Sequence, residues 1–124
     1  MILSVGVDMA EVERVRRAIE THGDRFVDRI YTAEEKRYCG RKKIPWTSWA
    51  ARFAAKEAAM KALGTGWRGV SWKDVGVVRK PGAAPEVEFS GRARSHFERL
   101  GATRAHLSLS HTADLAIAVV ILEK

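Results

Sequence analysis

Apolar positions along the chain change their spacing several times, and each change predicts an element. ILSVGV at positions 2 to 7 is β-branched and apolar, predicting a strand that ends at Asp8. Val12, Val15, Ala18 and Ile19 then recur at helical spacing, so a helix follows from about Ala10 to Thr21, with Arg14 and Arg17 outside its apolar face. GDRFVDRIYTAEEKRYCGRKK carries Phe26 and Ile30 on a helix or loop, followed by a short helix. Thr32 with Glu35 has capping-box form and starts that helix near Ala33, and Gly40 ends it. Pro45, Thr47 and Ser48 mark a turn, with Ser48 a candidate N-cap for a helix from about Trp49 to Leu63. Beyond Val70, DVGVV at 74 to 78 and PEVEF at 85 to 89 form a hairpin across RKPGAA. A polar, Arg-rich helix spans about Gly91 to Leu100, and AHLSLS and LAIAVVIL close the chain as a second hairpin turning at His111 to Asp114. The last strand is apolar on both faces and should be central or buried at a subunit contact.

The stretch ARFAAKEAAMKALGTG at 51 to 66 combines features that rarely coincide. Trp49, Phe53, Met60 and Leu63 fall on one side of this helix and alanines cover most of the rest, so backbone can approach it closely and it should be buried on more than one side. Glu57 and Lys61 sit together on the shoulder of the apolar stripe. As an i,i+4 pair on a solvated face they would contribute only about 0.2 to 0.5 kcal/mol. Taken from water they need further partners, and a divalent metal and a phosphate would satisfy both. Gly64 reads as the left-handed residue that ends the helix, and Gly64-Thr65-Gly66 also lets a ligand approach backbone. A phosphate-binding P-loop is excluded, because the Lys precedes the glycines and no strand leads into them. Asp8 and Ser110-His111 supply polar groups at predicted strand ends, where capping and turn chemistry are the plainer readings.

Length and composition narrow the class. A chain of 124 residues fits one domain, and 46% hydrophobic residues give it enough apolar surface for a core. Cys39 stands alone, so there is neither an intrachain disulfide nor a Cys-based zinc cage, which points to a reducing compartment. No signal peptide and no membrane-length apolar run is expected. The net charge of +7, with five basic residues within Lys36 to Lys43, favours an acidic partner.

SVGVDMAEVERV at 4 to 15, RFVDRIYTAEEKRYC at 25 to 39, ARFAAKEAAMKALGTG at 51 to 66, and the late LSLSH and AIAVVILE occur in this order over nearly the whole chain. Together they resemble the holo-acyl-carrier-protein synthases, the short trimeric class of 4′-phosphopantetheinyl transferases. The resemblance implies a single α+β domain over residues 1 to 124, antiparallel strands around a long buried central helix, and a cytoplasmic homotrimer with active sites shared between subunits. It implies transfer of the phosphopantetheine arm of coenzyme A to a serine of apo acyl carrier protein, leaving adenosine 3′,5′-bisphosphate, in support of fatty acid biosynthesis. Mg²⁺ would be held by the positions matching Asp8 and Glu57, ligands suited to a hard cation that keeps waters and phosphates in its shell. Lys61 would stabilise the developing negative charge, with Glu57 the candidate general base. By position Arg52, Ser110 and His111 match residues near the coenzyme phosphates, Gly64, Thr65 and Gly66 the bordering turn, and Arg14 and Arg17 the side that receives the acidic carrier.

The chain departs from the common pattern in places. Ala51 stands where many relatives have Gly, and Ala83-Ala84-Pro85 replaces a frequent Gly-Lys-Pro, so one basic contact to the coenzyme is missing or comes from Arg79 or Lys80. Trp67 and Trp72 replace smaller apolar residues or Phe. The rival reading is a small basic nucleic-acid-binding module without catalysis, prompted by the charge and by GRKKIPW, but no interleaved aromatic and glycine pattern accompanies it. Neither a nucleic acid nor a membrane is the expected partner.

Overall fold

The computed structural model describes residues Met1–Lys124. Strand β1 (Ile2–Glu11) leads into helices α1 (Val12–His22), α2 (Asp24–Ile30), α3 (Ala33–Gly40) and α4 (Trp46–Leu63). Two short 3₁₀ turns then precede strands β2 (Val75–Val78) and β3 (Glu86–Phe89), helix α5 (Gly91–Arg99), and strands β4 (Arg104–His111) and β5 (Leu115–Glu123). The strands form a three-stranded sheet in the order β1-β5-β4 and a separate β2-β3 hairpin, all antiparallel. The final strand is therefore central, as its doubly apolar sequence suggests.

Helix α4 lies against the inner face of the larger sheet. Ala50, Ala54, Ala55, Ala58 and Ala59 are wholly buried on it, facing Ala116, Ala118, Val120 and Leu122 of β5 among others in a cluster of 27 buried residues. Small side chains on both surfaces draw the backbones together, and Gly6 marks the closest point. A Cβ there would lie 1.9 Å from the Ala58 carbonyl oxygen and 2.8 Å from the Ala62 nitrogen, both backbone atoms that cannot swing aside. Two residues earlier, the Ser4 hydroxyl donates to the Ala62 carbonyl at 2.6 Å. Gly6→Ala is accordingly expected to destabilise the fold at or above the upper end of the roughly 1–3 kcal/mol typical of overpacking, with a fall in urea midpoint at unchanged slope. An unchanged midpoint would mean that strand and helix are not in this contact.

Several boundaries differ from expectation. Strand β1 does not stop at Asp8 but runs to Glu11, because β5 continues to pair with it as far as Glu11 opposite Leu115. Asp8 thus sits within the strand opposite Ala118 and caps nothing; Glu11 flanks α1 without a side-chain cap. Helix α4 starts a turn earlier than predicted, at Trp46 behind Pro45, whose carbonyl accepts the Trp49 N–H at 3.0 Å, so Ser48 lies inside the helix. The capping box is present as read, Thr32 Oγ1 accepting from Glu35 N and Glu35 Oε1 from Thr32 N. Gly64 ends α4 in the left-handed conformation at φ 78°.

Candidate active site

The contact at Gly6 sets the chemistry beside it. Asp8 follows Gly6 by two residues and so faces α4 as well, where Glu57 and Lys61 flank the contacted Ala58. Lys61 Nζ donates to Asp8 Oδ1 at 2.9 Å and to the Val7 carbonyl at 3.2 Å. The i,i+4 pairing of Glu57 with Lys61 considered from spacing is therefore not the ion pair that forms; Lys61 pairs with Asp8 across 53 residues. The carboxyls of Asp8 and Glu57 are close enough to share a hydrogen bond. They open into a cavity of about 650 Å³, whose other walls include Arg14, Val15, Phe26, Phe53 and Leu115.

Burial raises the pKa of Glu57 from 4.5 to about 7, the hydrogen bond with Asp8 and the charge of Asp8 add to the rise, and Lys61 and Arg14 oppose it. The Lys61 ammonium is pushed up, first by its hydrogen bond to Asp8 and then by that carboxylate's charge. Negative charge crowded at Glu57 beyond what Lys61 neutralises is a place for another cation. The two carboxylates supply hard oxygen donors from different elements, and no group of three or more His, Cys, Asp or Glu is arranged as a complete metal cage. This donor set fits Mg²⁺, which takes one or two carboxylates and fills its remaining positions with water and phosphate oxygens. Because Glu57 holds a proton up to about pH 7 in the cation-free state, divalent cation binding should release that proton. Calorimetry with Mg²⁺ should thus show weaker binding and more proton release at pH 6 than at pH 8; binding indifferent to pH would detach Glu57 from the cation.

The remaining predicted residues fall in other places. Arg14 lines the cavity rim, whereas Arg17 on the same helix points to solvent and donates to Glu13 at 3.5 Å. Gly64, Thr65 and Gly66 form the turn after α4, and Ser110 and His111 end β4 opposite Ile117 and Ala116; none of them lines the cavity of its own chain. Arg52 faces away into a second, smaller pocket of about 100 Å³ walled by Glu34, Arg37, Tyr38, Arg41, Val77 and Arg79. Its guanidinium lies 4.0 Å from the Tyr38 ring centre, the residue is only 4% exposed, and its Nε has no hydrogen-bond partner. Arg79 donates to the Ala83 carbonyl at 3.2 Å and to the Tyr38 hydroxyl at 3.4 Å, which brings it into the pocket.

Sequence reasoning missed Arg37, Tyr38 and Arg41 as members of this pocket, because the fold brings three elements together to make it. It also missed the buried pair behind the pocket, Lys56 and Glu35, at 2.8 Å with neither side chain exposed. The available signal was a lysine with alanine at both positions before it and at the two after Glu57. Such surroundings leave an ammonium no route to water.

Known proteins share part of this sequence and the same fold. Residues 4–120 match the model of the 4′-phosphopantetheinyl transferase superfamily. The holo-acyl-carrier-protein synthase of Koribacter versatilis (strain Ellin345) is 54% identical over 124 residues, with 99% of each chain covered. The crystal structure of holo-acyl-carrier-protein synthase from Neisseria meningitidis superposes with a TM-score of 0.90 at 36% identity over all of both chains. That of the Helicobacter pylori enzyme in complex with coenzyme A gives 0.84 at 28% identity, covering 96% of this chain and 99% of that one. Identity at this level across the full length, on the same arrangement of sheet and central helix, is decisive, and the chain belongs to the 4′-phosphopantetheinyl transferase superfamily.

Proposed function

We infer that the chain transfers 4′-phosphopantetheine from coenzyme A to a serine of apo acyl carrier protein. The serine oxygen forms a bond to the β-phosphorus while the bond from that phosphorus to the bridging oxygen breaks, and adenosine 3′,5′-bisphosphate departs with that oxygen. The observation that carries this reading is the convergence of Asp8, Glu57 and Lys61 at the mouth of an open cavity. Asp8 and Glu57 would hold Mg²⁺, which when bound supplies charge neutralisation at the pyrophosphate. Glu57, ionised once the cation has displaced its proton, is the candidate base for the serine hydroxyl. Lys61, half exposed beside Asp8, adds positive charge where the leaving oxygens become more negative.

Arg52, with its unpartnered Nε and the guanidiniums around it, is suited to a phosphate group of the coenzyme. Arg79 would replace the basic residue missing from Ala83-Ala84-Pro85. Arg14 at the cavity rim and exposed Arg17 are placed to steer an acidic carrier. Incubation with apo acyl carrier protein, coenzyme A and Mg²⁺, followed by intact-mass spectrometry, tests the reaction. The carrier should gain the mass of one phosphopantetheine, and a chelator should prevent it; no gain in any condition would refute the assignment. The nucleic-acid-binding alternative finds no support among the relatives.

A homotrimer gives the remaining residues a use. The outer face of the β1-β5-β4 sheet leaves Val5 57%, Val7 49%, Met9 61% and Ile117 37% exposed, apolar surface that subunit contact would cover. Ser110 and His111 at the edge of that face, and the Gly64 to Gly66 turn, would then border a site shared with a neighbour. Val7→Asp should convert the trimer to monomer by light scattering and lower transfer with it. An unchanged oligomer would place the contact elsewhere. A cytoplasmic location agrees with a single, buried, unpaired cysteine.

A further inference from the structure

The small basic pocket is built by three elements, and one buried ion pair joins the same three. Glu35 of α3 accepts from its own Thr32 N–H at 2.8 Å, from the Val77 N–H of β2 at 2.6 Å, and from Lys56 Nζ of α4 at 2.8 Å. Lys56 spends its other two protons on the carbonyls of Val75, at 2.5 Å, and Trp72, at 3.3 Å. All three ammonium donors and both carboxylate oxygens are thus committed, with no exposure of either side chain. A glutamine at position 35 could not do the same, since its NH₂ would face a backbone N–H.

Spacing ties each pocket residue to this pair. Arg52 precedes Lys56 by one helical turn on the same stripe of α4, and Tyr38 follows Glu35 by one turn on α3. Arg79 follows Val77 by two residues, just past the end of β2, and lines the pocket with it. We propose that the Glu35–Lys56 pair is a positioning device that fixes α3, α4 and β2 so that Arg52, Tyr38 and Arg79 meet around one phosphate group. Tyr38 completes the arrangement by stacking under the Arg52 guanidinium while its hydroxyl accepts from Arg79. The proposal rests on reading this pocket as a phosphate site for the coenzyme.

The test replaces the pair by neutral side chains of similar size, in Glu35→Gln/Lys56→Met, and confirms a cooperative thermal melt. The expected result is a rise of about 10- to 100-fold in the KM for coenzyme A and in the Kd of adenosine 3′,5′-bisphosphate, the cost of small misplacement of binding groups. The carrier KM and kcat at saturating coenzyme should stay within about threefold, because the cavity around Asp8 and Glu57 is built elsewhere. Unchanged coenzyme constants, or a uniform fall in all constants, would overturn the proposal. If that variant does not fold, Glu35→Asp, which withdraws the carboxylate by one methylene, should give the same split and is judged by the same outcomes. Arg52→Met separates the two layers of the argument. Normal bisphosphate binding in that variant overturns the phosphate reading and the proposal with it, whereas weakened binding there beside an unaffected pair variant overturns positioning alone.

Discussion

Lys56→Ala alone is expected to cost about 3–5 kcal/mol in urea unfolding, the range for removing one partner of a buried pair. The loss comes less from the missing attraction than from what stays behind. The Glu35 carboxyl would stay in a site with no solvent exposure with only two backbone N–H groups as partners, and the Val75 and Trp72 carbonyls would lose a donor. Burial already pulls the Lys56 pKa down, and the charge of Glu35 and its hydrogen bond oppose that fall. The neutral double variant removes both charges at once and should lose much less than the single changes sum to. A single-variant loss below about 1 kcal/mol, the scale of exposed pairs, would show that the side chains are solvated.

How much of this was legible in the chain depends on the distance over which each feature is decided. Local signals were sufficient for the capping box at Thr32 and Glu35, for the glycine stop at Gly64, and for the centrality of the closing strand, since each is written within a few residues. Boundaries failed where a remote partner decides them. Strand β1 outruns its own apolar stretch because β5 keeps offering backbone partners to Leu115, and no property of Asp8 or Met9 announces that. The site shows the same division. The candidates Asp8, Glu57 and Lys61 were identified from type, spacing and family resemblance, and the fold brings them together, but with Lys61 on Asp8 in place of Glu57. Glu35 was read correctly as a capping residue and incompletely, because its second oxygen serves Val77, 42 residues away. Arg52 was placed near the coenzyme phosphates by family resemblance alone; only the packed structure reveals a buried guanidinium left with an unanswered nitrogen.

Glu57→Gln should separate activity from stability. Transfer is expected to fall by about 10²–10⁴-fold in kcat, the contribution of a positioned acid–base group, and more if cation binding is lost with it. Glutamine has nearly the shape of glutamate but neither its charge nor its capacity to accept the serine proton. Stability should move the other way at alkaline pH. The folded state raises this carboxyl from 4.5 to about 7, so between those values the native protein binds the proton more tightly than the unfolded chain. The group's contribution to stability is complete below its ordinary pKa and is lost as pH rises through about 7. At pH 8, without divalent cation, the original protein therefore carries a half-buried, ionised Glu57 beside Asp8, a strain that glutamine removes. The melting temperature of Glu57→Gln should equal or exceed that of the unmodified protein at pH 8 and lose this advantage at pH 5. Excess Mg²⁺ should raise the unmodified protein's melting temperature and leave the variant's nearly unmoved. If activity and melting temperature instead fell together at both pH values, Glu57 would be a residue of the core, and the chemistry assigned to the cavity would have to rest on other side chains.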